Sequence, residues 1–423
     1  MPSPIRLTVL LLLLALAACS QAQAPHSGPA LLIGAIYPLS GSQAEGGKEE
    51  FGGVRAALQV ARDEGVPGAD RIQLQVEDVQ TPQQALAAVD RLIDRYHVPL
   101  ILGTYGSTLS AVAAARADQR HVVYWETGAV ADQVTAGRQY VFRTVATGST
   151  LGRMAVAFTQ QVLLGAAGLA PAATRVAIVG VDDVYGQSVA DAEEAGARAA
   201  GMQVVDRIRY SPYAYDPNAI ADEVASARPD FLWDVSYLAD GIAIWRSMLD
   251  RRVPLRAAIG TSSAFCMDDF GKTLGAQAVG LYAADKPSGS VPAGALSPAA
   301  RALLVRARQA YHSLSGDTDM PIPAVAGFVG GWVLVHDVLT AVGTRVTSDR
   351  VRDAAYAVDI PAGAEINGGG ARFSPPGNPD AGQNLRTAAV VGQWQGVDQM
   401  KVVFPAGFAE AQPRLDLSAP KLG

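Results

Sequence analysis

The segment PLILGTYGSTLSAVAAARA, residues 99–117, is the stretch on which the rest of the chain depends. A short apolar run ends at Gly103, a small polar turn follows, and an alanine-rich run begins directly after the turn. This order predicts a buried strand that delivers a helix N-terminus to the edge of a sheet. The free backbone N–H groups and the positive dipole end of such a terminus favour a carboxylate, so Ser107 and Thr108 are candidate ligand contacts. Capping of the helix by Ser107 is the alternative.

Short apolar runs alternate with longer amphipathic runs on both sides of this segment. Before residue 145, strands are predicted at residues 31–36, 71–78, 99–103 and 121–125, with helices between them. The pattern then restarts, with strands predicted at residues 175–180, 202–208, 231–235, 256–260 and 278–284. A βαβα order predicts a mostly parallel sheet with helices on both faces. Two such units in tandem predict an α/β protein of two lobes.

The last third of the chain is predicted to be mostly helical. Residues 297–357 hold three helical runs and too little strand for another sheet, so they should pack onto the first lobe. The glycine run at 367–370 is a turn or a crossover, and residues 385–404 form a closing hairpin. We therefore expect lobe 1 at 30–146 plus 285–367, lobe 2 at 147–284 plus 368–404, and a disordered tail at 405–423.

The N-terminus, residues 1–18, is typical of a lipoprotein signal peptide. One arginine precedes an apolar core that is too short to span a bilayer and that ends in small residues. The sequence LAAC at its end resembles the bacterial lipobox, in which the cysteine is lipidated and becomes the mature N-terminus. We expect a lipidated Cys19 and a tether at 19–29 that anchor an exported, extracytoplasmic protein to the cell membrane. An ordinary signal peptide with an incidental cysteine is the alternative.

Composition excludes several classes of function. The net charge is −6 over 423 residues, so nothing indicates a nucleic-acid partner. The five histidines are scattered without metal-ligand spacing, so no metal site and no cofactor are expected. No GxSxG motif occurs, and the FGKT sequence at 270–273 has Cys266 where a phosphate loop needs glycine. We therefore predict that the chain is not an enzyme. With Cys19 lipidated, Cys266 is expected to have no cysteine with which to form a disulfide.

Polar and aromatic residues follow the predicted strands of both lobes. Carboxyl ends of parallel strands meet at one edge of a sheet, so the two edges can face each other across a cleft for a small polar solute. Each aromatic taken singly is more often a packing residue, but their shared placement favours a site. The candidate ligand contacts are Tyr105, Ser107, Thr108, Glu126, Thr127 and Ala129 in lobe 1, and Asp183, Tyr185, Tyr237 and Ser262 in lobe 2.

The order of motifs along the chain resembles the periplasmic leucine/isoleucine/valine-binding proteins, the type I solute receptors of branched-chain amino acid ABC transporters. The resemblance implies the type I periplasmic binding protein fold, with two doubly wound parallel-sheet lobes joined by crossover strands. The motifs that carry it are IGAIYPLSG (33–41), GGVRAALQVARDEG (52–65), EDVQTPQQALAAVDRLI (77–93), ILGTYGST (101–108), VDDVYGQS (181–188) and the C-terminal hairpin.

The same resemblance implies roles for individual residues. Ser107 looks like the serine that receives the ligand carboxylate, Thr127 and Ala129 are similar to contacts after the fourth strand, and Tyr185 and Tyr237 are similar to contacts of the second lobe. Relatives that bind leucine place a glutamate in the turn after the strand equivalent to 256–260, where it pairs with the α-amino group.

This chain has Ser262 in that turn. A buried ammonium group needs a carboxylate partner, so either Glu126 or Asp183 supplies it, or the ligand has no α-amino group.

The expected function is that of a lipid-anchored solute-binding protein of an ABC importer. Its ligand would be a branched-chain amino acid or a related small carboxylate or amide, which the closed form hands to the permease. A ligand sensor that uses the same fold for a signalling partner is the alternative. A hydrolase that uses Ser107 is disfavoured, because no histidine lies near the strand-end turns to act as its base.

Overall fold

Two α/β lobes make up residues 29–415, the part of the chain that the computed structural model describes. The predicted signal peptide, Cys19, nearly all of the predicted tether and the end of the predicted tail lie outside the described residues. The element order agrees with the alternation of strands and helices predicted from the sequence.

Lobe 1 is built on a five-stranded sheet. Its strands are β1 (Leu31–Tyr37), β2 (Ile72–Asp78), β3 (Leu100–Gly103), β4 (Val123–Glu126) and β5 (Val141–Arg143). They lie in the order β2-β1-β3-β4-β5, and all neighbouring strands are parallel. Because successive side chains of a strand point to opposite faces, Ala35 reaches one apolar cluster and Ile36 the other.

Helices cover both faces of this sheet. They are α1 (Ala44–Asp63), α2 (Pro82–Asp94) and α3 (Ser107–Gln119). Helix α1 packs on one face, and α2 and α3 pack on the other. Helix α2 begins where Thr81 accepts a hydrogen bond from the Gln84 backbone N–H and Pro82 occupies the first helical turn, as expected for an N-terminal cap.

Lobe 2 is built on a seven-stranded sheet. Its strands are β6 (Arg175–Val181), β7 (Gln203–Tyr210), β8 (Phe231–Val235), β9 (Ala257–Thr261), β10 (Tyr282–Asp285), β11 (Val390–Gly396) and β12 (Gln399–Phe404). They lie in the order β12-β11-β10-β9-β8-β6-β7. Strands β6 to β10 pair in parallel, whereas β11 is antiparallel to both of its neighbours. The predicted closing hairpin is therefore the antiparallel end of the sheet.

Five helices of lobe 2 follow strands or precede the first of them. They are α4 (Gly148–Phe158, continuing as helix to residue 167), α5 (Val184–Ala199), α6 (Pro217–Ala227), α7 (Leu238–Asp250) and α8 (Asp268–Leu274). Asp216 caps α6 by accepting the Asn218 backbone N–H at 2.9 Å. The strand predicted at 278–284 begins only at Tyr282, because residues 275–278 form a 3-10 turn.

The helical third block packs onto lobe 1, as its lack of strands predicted. Its helices are α9 (Pro298–Ser315), α10 (Ile322–Val342) and α11 (Ser348–Tyr356). Helix α10 is long and apolar enough to cross a membrane by length and composition, but 78% of its most apolar window is buried inside the protein. It shares an apolar cluster with α1 and the strands of lobe 1, so it is a core helix.

The chain crosses back to lobe 2 later than predicted. The glycine run forms a turn, in which the Gly368 backbone N–H donates to Glu365 O at 2.9 Å. Phe373 then packs edge-on against Trp125 in the core of lobe 1, with ring centroids 5.3 Å apart. The predicted boundary at residues 367–368 is therefore too early, because this segment still has an aromatic side chain to bury in lobe 1.

The predicted disordered tail is ordered where the structure describes it. Residues 405–415 lie against the hairpin, where Gln393 Nε2 donates to Arg414 O at 2.9 Å and the Arg414 backbone N–H donates to Gln393 Oε1 at 2.7 Å. The Glu410 backbone N–H donates to Val402 O at 2.8 Å. The expectation of disorder from residue 405 is therefore wrong for residues 405–415, because these hydrogen bonds hold the backbone on β11 and β12.

Candidate ligand-binding site

A small pocket lies where the two lobes meet. Lobe 1 contributes one side of it, lobe 2 the other, and the crossover after β10 and the start of α10 close it. The lining residues are Glu50, Tyr105, Gly128, Ser262, Ser263, Cys266, Met267, Asp285, Lys286, Ile322 and Pro323. Two of the residues predicted as ligand contacts, Tyr105 and Ser262, are among them.

Hydrogen bonds beside the pocket join the two lobes. Thr108 Oγ1 of lobe 1 donates to Asp183 Oδ2 of lobe 2 at 3.1 Å, and Tyr237 OH donates to the same oxygen at 2.7 Å. Asp183 Oδ1 accepts the backbone N–H groups of Tyr185 and Gly186, each at 2.9 Å, and so caps α5. Three predicted site residues are thus brought together, and Asp183 already accepts four hydrogen bonds.

Tyr185 supports this cluster from inside lobe 2. Its side chain is buried, its hydroxyl donates to Thr261 O at the end of β9, and its ring lies 5.3 Å from that of Tyr237. Burial raises the pKa of the Tyr185 hydroxyl well above its ordinary value, so the group stays neutral. Its position ties the start of α5 to the turn that holds Ser262.

Glu126 organises the turns of lobe 1 rather than facing the pocket. Its Oε1 accepts the backbone N–H groups of Gly128 at 2.7 Å and Ala129 at 2.8 Å. Its Oε2 accepts the Thr104 backbone N–H at 3.1 Å and the Ser110 hydroxyl. Burial raises the pKa of Glu126 to about 7, while these hydrogen bonds act in the opposite direction. Both carboxylate oxygens are occupied within lobe 1, and the Ala129 N–H is occupied with them.

Thr127 and Ser107 also have their partners inside lobe 1. Thr127 Oγ1 donates to Glu50 Oε1 at 2.6 Å and lies 2.8 Å from Tyr37 OH. Ser107 is the first residue of α3, whose N-cap is Gly106, and its Oγ accepts the Ala131 backbone N–H at 3.2 Å. The alternative that Ser107 caps its own helix is therefore wrong. Its contact with a ligand carboxylate stays a prediction.

Glu50 is a pocket residue that was not predicted from the sequence, because the predicted contacts are polar and aromatic residues that follow predicted strands. We call this placement the strand-end pattern. It lies on the buried face of α1, is fully buried, and has an Oε2 with no hydrogen-bond partner among residues 29–415. Burial and the nearby Glu126 raise the pKa of Glu50 well above its ordinary value, whereas Thr127 and Lys286 act in the opposite direction. The one signal in the sequence is a glutamate between two glycine pairs on an otherwise apolar helix face.

Asp285 and Lys286 form a buried ion pair where the chain leaves β10. Lys286 Nζ lies 3.0 Å from Asp285 Oδ1 and donates to Ser262 Oγ at 3.2 Å. Burial lowers the pKa of Lys286, but Asp285, Cys266 and Glu50 outweigh it and raise this pKa above its ordinary value. The strand-end pattern applied to β10 would have found this pair.

The turn around Ser262 holds two consecutive residues in the left-handed region. The backbone φ angles are 41° at Ser262 and 43° at Ser263, a conformation in which non-glycine residues are strained and which concentrates at functional sites. The neighbouring Cys266 is a free, buried thiol whose pKa is raised by burial and by Asp285. Within residues 29–415, no group of three or more histidine, cysteine, aspartate or glutamate side chains could hold a metal ion.

Comparison with known proteins agrees with this architecture. The family model described as periplasmic binding protein matches residues 31–395. The chain belongs to the periplasmic binding protein family. The prediction of an extracytoplasmic solute-binding protein of an ABC transporter, rather than an enzyme, is thereby confirmed.

Individual relatives are distant in sequence. The chain is 28% identical to "Leu/Ile/Val-binding protein homolog 8" of Brucella abortus over 90% of this chain and 92% of that protein. Its structure resembles the leucine-binding protein LivK of Thermotoga maritima, with a TM-score of 0.74 and 18% identity over 88% and 97% of the two chains. It also resembles a solute-binding protein of R. palustris in complex with benzoate, with a TM-score of 0.73 and 18% identity over 90% and 98%. These structures confirm the predicted two-lobed fold.

Proposed function

We propose that this protein captures a small polar solute with a carboxylate or amide group, such as a branched-chain amino acid, in the pocket between its lobes and delivers it to an ABC permease. The range of ligands reflects two relatives of equal structural similarity, one a leucine-binding protein and one in complex with benzoate. Both ligands carry a carboxylate, so a group that receives an oxyanion is the shared requirement.

The observation that carries the proposal is the position of Lys286. Its ammonium group has three N–H donors, and two partners are recorded for it, Asp285 and Ser262. The third donor is free for an oxygen of the solute. A buried ammonium in a low-dielectric pocket attracts a carboxylate more strongly than the same group does in water.

The predicted contacts then take three roles. Tyr105 and Ser262 line the pocket and would touch the solute. A second group would hold the lobes closed around it, through Thr108, Asp183, Tyr185 and Tyr237. A third group would fix the shape of the lobe 1 turns from within, through Ser107, Glu126, Thr127 and Ala129. Closure that depends on residues of both lobes makes ligand binding a shift between open and closed populations.

Attachment to the membrane would come from a lipid on Cys19. The support for it is the sequence LAAC at the end of the signal-like segment. In cells, the wild-type protein should fractionate with membranes and incorporate labelled fatty acid, whereas Cys19→Ala should incorporate none. Incorporation of label into Cys19→Ala would contradict the anchor.

A thermal-shift screen of the purified protein tests the solute-binding proposal. Any co-purified ligand is first removed by unfolding and refolding, and the panel contains amino acids, short-chain and aromatic carboxylates, and amides. A ligand present at a hundredfold its dissociation constant adds about 2.7 kcal/mol of stability, enough to raise Tm by a few degrees. Lys286→Met should abolish the shift for every carboxylate of the panel. Absence of a shift with all members would overturn the proposal.

A further inference from the structure

We infer that Glu50 is the residue that selects the solute, because its free carboxylate oxygen receives a protonated amino group of the ligand. This inference rests on the proposed function and deepens it. It moves the recognition of an ammonium group from the lobe 2 turn at Ser262 to helix α1 of lobe 1.

The first argument is that one carboxylate oxygen of Glu50 is an unsatisfied hydrogen-bond acceptor. Glu50 is one of the residues that line the interlobe pocket. Its Oε1 is held by Thr127 at 2.6 Å, whereas its Oε2 is buried and has no hydrogen-bond partner among residues 29–415. A buried acceptor without a donor is unfavourable by about 1–3 kcal/mol. A ligand N–H group at this oxygen removes that penalty, so the unpartnered atom marks where a donor binds.

The second argument is that the two carboxylates predicted to receive an ammonium group are occupied, and that Asp285 Oδ1, which also lacks a hydrogen-bond partner among residues 29–415, already has Lys286 as its cation. Glu126 accepts four hydrogen bonds within lobe 1. Asp183 also accepts four, from the start of α5, from Thr108 and from Tyr237. Asp285 lies 3.0 Å from the Lys286 ammonium. Neither of the two carboxylates predicted to receive an ammonium group has a free oxygen, whereas Glu50 has one.

The third argument is that the backbone is shaped to hold Glu50 at this place. A Cβ atom on Gly128 would lie 1.7 Å from Glu50 Oε2, and a Cβ on Gly327 would lie 1.9 Å from Glu50 O. Glycine at both positions lets the turn after β4 and helix α10 approach Glu50 this closely. The space that the carboxylate occupies therefore depends on glycine at position 128, and Thr127 holds Oε1 in it at 2.6 Å.

With an ammonium ligand bound, the pocket thus sets two opposite charges against those of the ligand. Lys286 has a donor for the ligand carboxylate, and Glu50 has an acceptor for its ammonium group. The charged and titratable groups that interact with Glu50 are Glu126 at the end of β4, Lys286 after β10, Tyr37 at the end of β1 and Tyr124 in β4. This arrangement is complementary to a zwitterion, and it disfavours a solute that carries a carboxylate alone.

Glu50 could also contact a ligand as a protonated carboxyl group, and the test must distinguish this contact from the binding of an ammonium group. Without a cation beside it, burial keeps the Glu50 carboxyl protonated, and a protonated carboxyl can donate a hydrogen bond to an oxygen of the ligand. An ammonium ligand instead ionises Glu50, so binding releases one proton and the affinity rises with pH below the pKa of Glu50. A ligand without an amino group releases none.

The test is isothermal titration calorimetry of the purified protein with matched ligand pairs. The panel is the twenty L-amino acids, each beside the 2-hydroxy acid of the same side chain where one exists, together with benzoate. The expected result is that an amino acid binds at least on the order of 100-fold more tightly than its 2-hydroxy analogue, as for other buried charge pairs. Repetition in buffers of different ionisation heat should give about one proton released per bound amino acid.

Two variants complete the test. Glu50→Gln should lower the affinity for the amino acid on the order of 100-fold, leave that for the 2-hydroxy acid nearly unchanged, and abolish proton release. Glu365→Gln is the matched control, because Glu365 is another buried glutamate of lobe 1 with an unpartnered Oε2, outside the pocket. It should bind as the wild type does.

The outcomes separate the inference from the proposed function. If the tightest ligand is benzoate or a 2-hydroxy acid, or if Glu50→Gln binds the amino acid as tightly as the wild type, the inference is overturned and the solute-binding proposal stands. If no member of the panel binds, both fall. Should Glu50→Gln fail to fold, proton release by the wild-type protein still decides between the two chemistries.

Discussion

Two buried glutamates of lobe 1, Glu126 at the end of β4 and Glu50 in α1, have similar surroundings but different partners. Both are fully buried, and burial is the largest cause of the raised pKa of each. Glu126 accepts four hydrogen bonds, three of them from backbone N–H groups. Glu50 accepts one, from Thr127, and its Oε2 has no hydrogen-bond partner among residues 29–415.

The difference distinguishes two roles. Glu126 uses all of its hydrogen bonds to fix the turns around the candidate site, whereas Glu50 has an oxygen that can still accept a hydrogen bond from a ligand. Glu126 lies at the end of a strand, where the sequence predicts ligand contacts, yet all four of its hydrogen bonds are made within lobe 1. Glu50 lies in the middle of a helix, yet one of its oxygens has no hydrogen-bond partner among residues 29–415. The number of hydrogen bonds that each carboxylate accepts therefore distinguishes the two glutamates, whereas residue type and burial do not.

The largest expected effect is the loss of stability in Glu126→Ala. This variant leaves three buried N–H donors, those of Thr104, Gly128 and Ala129, without an acceptor. At about 1–3 kcal/mol for each such group, we expect the free energy of unfolding to fall by about 4 kcal/mol. Urea denaturation followed by circular dichroism measures it.

Glu50→Ala is the paired variant for that measurement. It removes one hydrogen bond from Thr127 and a carboxyl group that was costly to bury, so the free energy of unfolding should change by about 1 kcal/mol or less. Equal destabilisation of the two variants would show that Glu50 is also structural and would remove the distinction between them.

The next effect in size concerns Gly128, which stands beside Glu50. The added methyl group of Gly128→Ala would lie 1.7 Å from Glu50 Oε2, so the carboxylate must move away from its place in the pocket. The affinity for a ligand with an ammonium group should fall roughly tenfold or more, in keeping with the loss of a charge-assisted hydrogen bond.

Calorimetry measures this effect, and Gly165→Ala is its control. Gly165 lies in the helical continuation of α4, and a Cβ atom there would meet nothing within 4 Å. That variant should bind as the wild type does. Wild-type affinity in Gly128→Ala would mean that the position of Glu50 is not critical for binding.

The fold was predictable because local patterns and tertiary structure agree. The apolar run predicted as a strand at 99–103 forms β3, the polar turn follows it, and α3 begins directly after the turn at Ser107. The third block lacked strands and packs on lobe 1. The two errors in the C-terminal part, at the crossover and at residues 405–415, concern segments held by isolated contacts such as that of Phe373 with Trp125. Such contacts leave no periodic signal in the sequence.

The site was predictable only where its residues follow strands. Tyr105 and Ser262 lie in the pocket, and Thr108 meets Asp183 across the lobes. Glu50 could not be placed by this pattern, since the face of α1 that it occupies is defined by what packs there. The occupation of Glu126 by backbone N–H groups is a property of the folded turn, which sequence spacing does not reveal.

The smallest expected effect tests the contact between the lobes at Thr108. Thr108→Val removes the hydrogen bond from lobe 1 to Asp183 and keeps the shape of the side chain. Because this bond forms only between the two lobes, its loss should weaken closure by about 1 kcal/mol and lower the affinity about fivefold. The factor should be the same for an amino acid and for its 2-hydroxy analogue, since closure is common to both. Tyr237→Phe, which removes a bond to the same oxygen from within lobe 2, should lower the affinity less. A factor that differs between the two ligands would instead place Thr108 in direct contact with the ligand's amino group and would weaken the assignment of that role to Glu50 alone.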